Sequence, residues 1–190
     1  SKSFSPRDFR SILQQSTPKE TTDPDIPKAA VLVPLYYTDD RLYVILTLRT
    51  NHVEHHKGEI SFPGGFWEKQ DSTLRDTALR ETFEEVGIQT SDVTILGRLD
   101  DRVTRTGISI TPFVGIIPYP YEFNVFAIEV AELIRIPLEH LLDPRNRTDE
   151  GEFFPDGRPI PINSFKFHEH VVFGATAFIL DSFLNKAFPD

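Results

Sequence analysis

Short apolar runs separated by turn residues dominate the first half of the chain, and this pattern predicts strands. Residues 29–37 form an apolar, β-branched run, residues 39–41 break it with two aspartates and an arginine, and residues 42–48 form a second run. Two such runs joined by a tight turn predict a β-hairpin. Further strands are predicted at 60–62, 93–99 and 108–117, and strand or mixed structure at 125–136.

A helical period replaces the strand pattern between residues 72 and 86. Leu79, Phe83 and Val86 fall at i, i+4 and i+7, which predicts one apolar stripe that packs the helix against the sheet. A glycine turn, Pro63-Gly64-Gly65, precedes this segment. The candidate caps are Asp71 or Ser72 at the start of the helix and Gly87 at its end.

The remaining pattern predicts an amphipathic surface helix around Phe9 and Leu13, a linker that ends near Pro27, and helices at 138–142 and 171–184. A Pro-, Gly- and Asp-rich loop is predicted at 143–163. Strands and helices alternate without regular βαβ units, so the expected class is α/β (α+β), with a mixed sheet flanked by helices. The expected organisation is a helix and linker over 1–27 and one domain over 28–190.

Composition narrows the possible chemistry. The chain has 190 residues and no cysteine, which excludes disulfides, thiolate catalysis and cysteine-ligated zinc. Its formal net charge of −9 argues against nucleic acid as a partner. No apolar run approaches the roughly 20 residues that a bilayer crossing needs, so no membrane partner is expected. A cytoplasmic location is expected. If an acidic protein binds phosphate compounds, a cation held by carboxylates is the usual solution.

Three glutamates near the end of the helix at 72–86 are the strongest candidates for such a cation site. Glu81, Glu84 and Glu85 stand at i, i+3 and i+4, so they share one patch of helix surface. Their mutual repulsion and the negative end of the helix dipole both oppose this arrangement. A bound divalent cation removes both costs, and Mg²⁺ prefers carboxylate oxygens. Arg80 lies four residues from Glu84 and is placed to orient one carboxylate.

This segment resembles the Nudix box, in which a glycine and an acid precede the pattern REUXEEXGU. The matching residues are Gly65, Asp71, Arg80, Glu81, Glu84, Glu85, Gly87 and Ile88. Asp71 stands where a glutamate is usual, and Thr82 where an aliphatic residue is usual. The spacing from Gly65 to Arg80 is one residue longer than the general pattern, which is expected of the coenzyme A pyrophosphatase branch of the family.

A second signature of that branch, LLTxR[SA]-x3-R-x3-G-x3-FPGG, resembles the segment upstream. The matching residues are Leu46, Thr47, Arg49, Thr50, Gly58, Phe62, Pro63, Gly64 and Gly65. Glu54 occupies the position of the expected arginine, a reversal of charge at a possible phosphate contact. The resemblance covers most of the chain after residue 28 and implies a Nudix-type α/β/α sandwich with a loop–helix–loop.

The resemblance implies hydrolysis of a nucleoside diphosphate linkage, with coenzyme A giving 3′,5′-ADP and 4′-phosphopantetheine. It implies Mg²⁺ or Mn²⁺ as the cofactor, held by the three helix glutamates with a backbone carbonyl of Gly64 or Gly65. The general base stays open between Glu81 and Glu129. Arg49 and Lys57 are candidate substrate contacts. The candidate catalytic residues are Glu81, Glu84, Glu85, Arg80 and Glu129.

Two alternatives remain open. The first keeps the reaction and changes the substrate to ADP-ribose or a nucleotide sugar, because Glu54 replaces the arginine. The second is a regulatory Nudix module that binds nucleotides without catalysis; such modules usually lose ligand carboxylates, which are all present here. The small-molecule partner in each case is a nucleotide, and a homodimer is possible.

Overall fold

The computed structural model describes residues 6–15, 17–52, 58–153 and 157–189, with side chains from Asp8 onward. The strands are β1 (Lys28–Thr38), β2 (Arg41–Arg49), β3 (Ile60–Ser61), β4 (Gly64–Phe66), β5 (Thr94–Arg98), β6 (Arg102–Val103), β7 (Ser109–Ile116), β8 (Val130–Pro137), β9 (Arg147–Phe153), β10 (Ile160–Phe167) and β11 (His170–Val172). The α-helices are α1 (Pro6–Gln14), α2 (Leu74–Val86), α3 (Leu138–Leu142) and α4 (Gly174–Ala187), and short 3-10 turns lie at Thr90–Asp92 and Pro144–Asn146.

Strand β1 is the centre of a mixed sheet. It runs parallel to β7 along one edge, and along its other edge it pairs antiparallel first with β4 and then with β2. Strands β8 and β3 extend the sheet from β2, and β5 and β6 extend it from β7. The predicted hairpin of β1 and β2 is confirmed, and Asp39 and Asp40 both adopt positive φ in its two-residue turn.

Helices cover both faces of this sheet because the side chains of β1 alternate between two cores. Ala30 and Leu32 pack with Ala78 of α2 on one face. Val33 and Leu35 lie in the larger core on the other face, which also receives Phe183 of α4. The predicted mixed sheet with flanking helices, an α/β/α sandwich, is confirmed. In the described residues, no helix is long and apolar enough to cross a membrane.

The N-terminal segment packs closely on the domain. Helix α1 is present as predicted, and its Phe9 and Leu13 are buried in the larger core. The stretch that follows pairs its backbone with the sheet, since Asp101 donates its N–H to the carbonyl of Lys19 and Ser109 donates to the carbonyl of Pro27, both at 2.9 Å. The division of the chain at residue 27 stays a prediction.

The structure corrects the sequence analysis between residues 143 and 172. The predicted loop contains β9 and β10, which form a small antiparallel sheet with β11, and the last helix begins at Gly174 instead of residue 171. Most residues of β9 are exposed and polar, so no apolar alternation revealed the strand. The guanidinium of Arg102 lies between the rings of Phe153 and Phe178, 4.9 and 4.0 Å from their centroids, and joins the two sheets.

Candidate active site

Helix α2 is fixed at both ends by its own sequence. Thr73 is the N-cap: its hydroxyl accepts the N–H of Asp76 while the Asp76 carboxylate accepts the N–H of Thr73, both at 3.2 Å. This capping box replaces the cap predicted at Asp71 or Ser72. Gly87 ends the helix with φ 75°, as predicted, in the left-handed region that glycine adopts without strain.

Leu79 and Val86 of the predicted stripe are buried, which confirms that part of the prediction, but the buried face of α2 is rotated away from Phe83. Ala78, Thr82 and Glu85 follow one another at i, i+4 and i+7 and are fully or almost fully buried. Phe83 was expected in the packed stripe and is 46% exposed instead. The small side chains of Ala78 and Thr82 let the helix approach the sheet closely. The buried hydroxyl of Thr82 donates a hydrogen bond to the carbonyl of Ala78 at 2.6 Å. The rotation therefore carries the Glu85 carboxylate into the interface.

Asp71 and Arg80 form a clamp before and along the helix. Arg80 Nε donates to Asp71 Oδ1 at 2.8 Å and Nη2 donates to Oδ2 at 2.9 Å, a bidentate pair. Asp71 is 6% exposed and also accepts the Thr77 hydroxyl at 2.9 Å and the N–H of Glu68 at 3.0 Å. The side-chain hydrogen bond from Arg80 holds the pKa of Asp71 well below its usual range, and the same bond raises the pKa of Arg80.

The clamped arginine also reaches the glutamates. Arg80 Nη1 donates to Glu81 Oε1 at 3.0 Å and to both oxygens of Glu84 at 3.4 Å. Its Nη2 donates to the carbonyl of Phe66 at 3.1 Å, which ties the helix to the end of β4. Arg80 thereby fixes the position of the Glu81 carboxylate, while Glu84 lies at the solvent edge with about half of its side chain exposed.

The two glycines lie in β4, and the sharp turn predicted for them is wrong. Gly64 and Gly65 pair with Val31 and Ala30 of β1. A Cβ on Gly65 would stand 2.5 Å from the carboxylate carbon of Glu81, and one on Gly64 would stand 2.3 Å from the carbonyl of Ala30. A side chain on Gly64 would run into the backbone of β1, and a side chain on Gly65 would displace the Glu81 carboxylate from its place above the strand.

Glu85 is buried, and among the described residues Arg49 is the cation that faces it, at the long distance of 3.9 Å. Glu85 is 3% exposed, its Oε2 accepts the N–H of Gly64 at 3.3 Å, and Arg49 Nη1 stays 3.9 Å from its Oε1. Burial, followed by the charge of Glu81, raises the pKa of Glu85 to about 8. Burial also raises the pKa of Glu81, to which the charges of Glu84 and Glu129 add. Excess negative charge therefore collects between α2 and β4.

A cleft of ≈ 470 Å³ opens beside these carboxylates. Arg49 stands in its wall, and its Nε is buried and has no hydrogen-bond partner among the residues that the structure describes. The opposite wall comes from the turn before β8, where Thr50 donates its N–H to the carbonyl of Glu129 at 2.9 Å and Phe126 donates to the carbonyl of Glu85 at 2.8 Å. The lining residues are Leu48, Arg49, Thr50, Asn51, His52, Gly58, Ala127 and Ala131.

Most of the site residues predicted from the sequence meet at this place. Arg80, Glu81 and Glu85 contact one another or the glycine strand, and Arg49 stands in the adjoining cleft. Lys57 and Glu54 lie outside the described residues. Within the ranges that the structure describes, no three histidine or acidic side chains converge closely enough to hold a metal ion. The ligand set of Glu81, Glu84, Glu85 and Gly65 stays a prediction.

The sequence analysis missed the part that Asp71 plays. It was considered as a helix cap, but its carboxylate instead receives the arginine nine residues later. The pairing of an acid before the helix with an arginine on its outer face was the available signal. No signal in the sequence pointed to the carbonyl of Phe66, a further acceptor of Arg80, because a sequence does not show which backbone carbonyls accept hydrogen bonds.

The mixed sheet with helices on both faces is a fold that solved structures share. A MutT/nudix family protein from Enterococcus faecalis aligns with a TM-score of 0.58 at 17% identity, over 91% of this chain and 65% of that chain. The C. elegans Ap4A hydrolase in a binary complex aligns at 0.51 and 19% identity, over 62% of this chain and 84% of that chain. At these identities the likeness concerns the fold alone.

The NUDIX domain family model matches residues 26–157. The chain therefore belongs to the Nudix family. The uncharacterized Nudix hydrolase NudL of Yersinia enterocolitica is 42% identical over 114 residues, which cover 60% of this chain and 58% of that protein. The uncharacterized NudL of Enterobacter sp. (strain 638) is 38% identical over 136 residues, 71% of this chain and 70% of that protein. The match to the Yersinia relative thus spans less than two thirds of its length.

Proposed function

We propose that this chain hydrolyses a nucleoside diphosphate linkage with a divalent cation, and that coenzyme A or a derivative is its substrate. The observation that carries the proposal is the pair of carboxylates, Glu81 and Glu85, held against the backbone of the glycine strand with Arg49 in the adjoining cleft. Buried like charges with raised pKa values are a signature of functional sites.

The donor chemistry of the site suits Mg²⁺ or Mn²⁺. In the described part of the chain, the buried carboxylate of Glu85 has no cation nearer than Arg49 at 3.9 Å, and the Glu81 carboxylate occupies the space that Gly65 leaves by having no side chain. Hard cations take such oxygen ligands. Glu81, Glu85 and the solvent-edge Glu84, which would have to draw closer together than they stand in this structure, would hold the cation with a backbone carbonyl of Gly64 or Gly65. When bound, it supplies positive charge against the diphosphate oxygens and acidifies a water.

Different side chains bind the phosphate, position Glu81 and accept the proton of the attacking water. Arg49, with a buried Nε that lacks a partner among the described residues, binds a phosphate oxygen. The clamped Arg80 keeps Glu81 in one position through its 3.0 Å hydrogen bond. The attacking water gives its proton to a carboxylate, for which Glu81 and Glu129 are the two candidates. Glu129 belongs to this set because its charge raises the pKa of both Glu81 and Glu85.

The walls of the cleft favour a coenzyme A-like substrate over ADP-ribose. Leu48, Ala127 and Ala131 supply apolar surface, and Asn51 and His52 supply polar groups. A phosphopantetheine arm carries methyl groups and amides and matches both kinds of wall, whereas a second ribose has only hydroxyls to offer. The upstream resemblance around Arg49 points to the same substrate.

A product assay tests the proposal. The protein is incubated with Mg²⁺ or Mn²⁺ and coenzyme A, ADP-ribose, a diadenosine polyphosphate or a nucleoside triphosphate, and products are separated by chromatography. We expect 3′,5′-ADP to form fastest from coenzyme A. Glu85→Gln and Glu84→Gln are expected to lower the rate, Glu85→Gln by about 100-fold or more. Glu139→Gln serves as the matched control, because Glu139 is an exposed glutamate of the distant helix α3, where it pairs with Arg41.

The other outcomes separate the alternatives. Faster turnover of ADP-ribose would keep the site and overturn the substrate. Equal rates for Glu85→Gln and the wild type would overturn the catalytic assignment. Nucleotide binding without turnover of any substrate would make the protein a regulatory Nudix module.

A further inference from the structure

Trp67 is a half-exposed aromatic residue at the edge of the site. Its residue is 47% exposed, although large apolar side chains usually gain free energy from burial. It follows β4 directly and is the only tryptophan of the chain. Exposed tryptophan rings beside a site for charged ligands are a recurrent means of binding flat, uncharged groups by stacking.

The ring is held in one place from two sides. The backbone N–H of Trp67 donates to the carbonyl of Lys28 at 2.9 Å, which continues the pairing of β4 with β1. The indole Nε1–H donates to the carbonyl of Asp71 at 3.1 Å. Asp71 is the residue whose carboxylate clamps Arg80. The position of the ring is therefore fixed by the same residue that organises the glutamates, and little conformational entropy is lost when a ligand stacks on it.

Strand alternation puts the ring on the side of the carboxylates. Side chains at i and i+2 of an extended strand share a face. The missing Cβ of Gly65 points at the Glu81 carboxylate, and Trp67 stands two residues further along the same backbone. Two residues of strand advance about 7 Å, the order of separation between a nucleobase and its 5′-phosphate. Phe66 is similarly exposed, and the same alternation assigns it to the opposite face.

We propose that the indole of Trp67 is the stacking platform for the nucleobase of the substrate. The ligand class rests on the proposed function, which supplies a nucleotide, and the new element is the subsite and its residue. Stacking of a base on an aromatic side chain is worth about tenfold in affinity or more. In this arrangement the diphosphate lies over the glycine strand, the base lies on Trp67, and the cleft beside Arg49 receives the other arm.

The single tryptophan allows a direct test by intrinsic fluorescence. We expect 3′,5′-ADP to quench the emission of the wild-type protein saturably, because the base covers the indole. Inorganic pyrophosphate, which has the phosphates and no base, is expected to leave the emission unchanged. Unchanged emission on saturation with 3′,5′-ADP, with binding verified by calorimetry, would overturn the proposal. Equal quenching by pyrophosphate would overturn it too.

A matched pair of variants separates stacking from bulk. Trp67→Leu keeps an apolar side chain and removes the ring face, whereas Trp67→Phe keeps a ring; both lose the hydrogen bond to Asp71. We expect Trp67→Leu to raise the KM for the nucleotide substrate and the Kd for 3′,5′-ADP about tenfold with kcat within about threefold, and Trp67→Phe to stay close to the wild type. Phe173→Leu, 51% exposed at the start of α4, is the control.

The same measurements distinguish this proposal from the proposed function. If the variants differ from each other in Kd for 3′,5′-ADP although no substrate is turned over, the stacking subsite stands and the hydrolase assignment fails. If substrate is hydrolysed but Trp67→Leu and Trp67→Phe have equal KM and Kd, the stacking subsite fails and the hydrolase assignment stands. A fall in kcat with unchanged KM in both variants would assign Trp67 to the support of Asp71 and would also overturn the proposal.

Discussion

Asp71 and Glu85 are two buried carboxylates of the same site, each facing an arginine, and their pKa values move in opposite directions. Both residues are at most 6% exposed. Asp71 takes a bidentate pair from Arg80 together with a hydroxyl and a backbone N–H, and its pKa falls. Glu85 has one N–H at 3.3 Å and an arginine at 3.9 Å, and burial raises its pKa to about 8.

The difference shows that burial and an arginine neighbour do not decide the state of a carboxylate; the geometry of its hydrogen bonds does. A buried charge is tolerated when donors saturate it and is costly when they do not. Asp71 is saturated and fixes the frame of the site. Glu85 lacks saturating donors, and it lies at the position where the proposed cation would bind and supply positive charge. The fold thus places an acid with saturated hydrogen bonds next to an unsatisfied one, and the unsatisfied acid is the one to which the proposed function assigns the chemistry.

The largest effect that would break this comparison is the loss of the Asp71 charge. Asp71→Asn keeps the shape of the side chain and weakens the bidentate pair, which leaves the Arg80 guanidinium undercompensated. We expect the free energy of unfolding to fall by about 2 kcal/mol, the worth of hydrogen bonds to a charged group. Urea unfolding with EDTA present, followed by circular dichroism, measures the difference.

Glu85→Gln is the matched substitution at the other carboxylate. In EDTA burial raises the pKa of Glu85 to about 8, so at neutral pH folding must largely protonate this acid, and the neutral amide removes that cost. We expect a change of less than about 1 kcal/mol, in the stabilising direction. A loss as large as that of Asp71→Asn would mean that Glu85 is as well satisfied as Asp71, and the contrast between the two acids would disappear.

The elements with a strong local pattern could be predicted from the sequence. The hairpin of β1 and β2 followed from two apolar runs around two aspartates, and the end of α2 from Gly87. The glutamates of α2 were identified because three like charges on one helix patch need a reason. These features depend on residues close together in the chain, so a single sequence is sufficient to indicate them.

The features that depend on partners distant in the chain could not be predicted. Strand β9 is polar and is made a strand by its pairing with β10. The rotation of α2, which exposes Phe83 and buries Glu85, is set by the close approach of Ala78 to the sheet. The sequence around Gly64 and Gly65 is typical of a turn, and no neighbouring residue indicates that β1 pairs with these glycines. Tertiary contacts override local preference in each case.

A smaller effect that would sharpen the comparison of Asp71 with Glu85 is the stabilisation gained when a divalent cation balances the charge of Glu85. Mg²⁺ or Mn²⁺ at ten times its dissociation constant should stabilise the wild type by about 1.4 kcal/mol, since ligand that binds only the folded state stabilises it by mass action. For a chain of this size that raises Tm by about 4 °C. Thermal unfolding with and without the cation measures the shift.

Two variants make that result specific. Glu85→Gln should abolish most of the cation-induced rise in Tm, whereas Asp71→Asn should start from a lower Tm and keep the rise. A rise of equal size in Glu85→Gln would mean that the cation binds elsewhere on this acidic chain.

The smallest effect concerns the pH dependence of the satisfied acid. The pKa of Asp71 is lower in the folded protein than its ordinary value of 3.8, so on acidification the unfolded chain takes up the proton first. The stability that Asp71 contributes is therefore complete above about pH 5 and declines as the pH falls toward the folded pKa. Between pH 5 and pH 3 the gap in unfolding free energy between wild type and Asp71→Asn should narrow by roughly 1 kcal/mol. Urea titrations of both proteins in EDTA across this range measure the gap. A gap that stays constant down to pH 3 would mean that the Asn variant loses packing and not charge, and the low pKa of Asp71 would then have no part in the stability of the site.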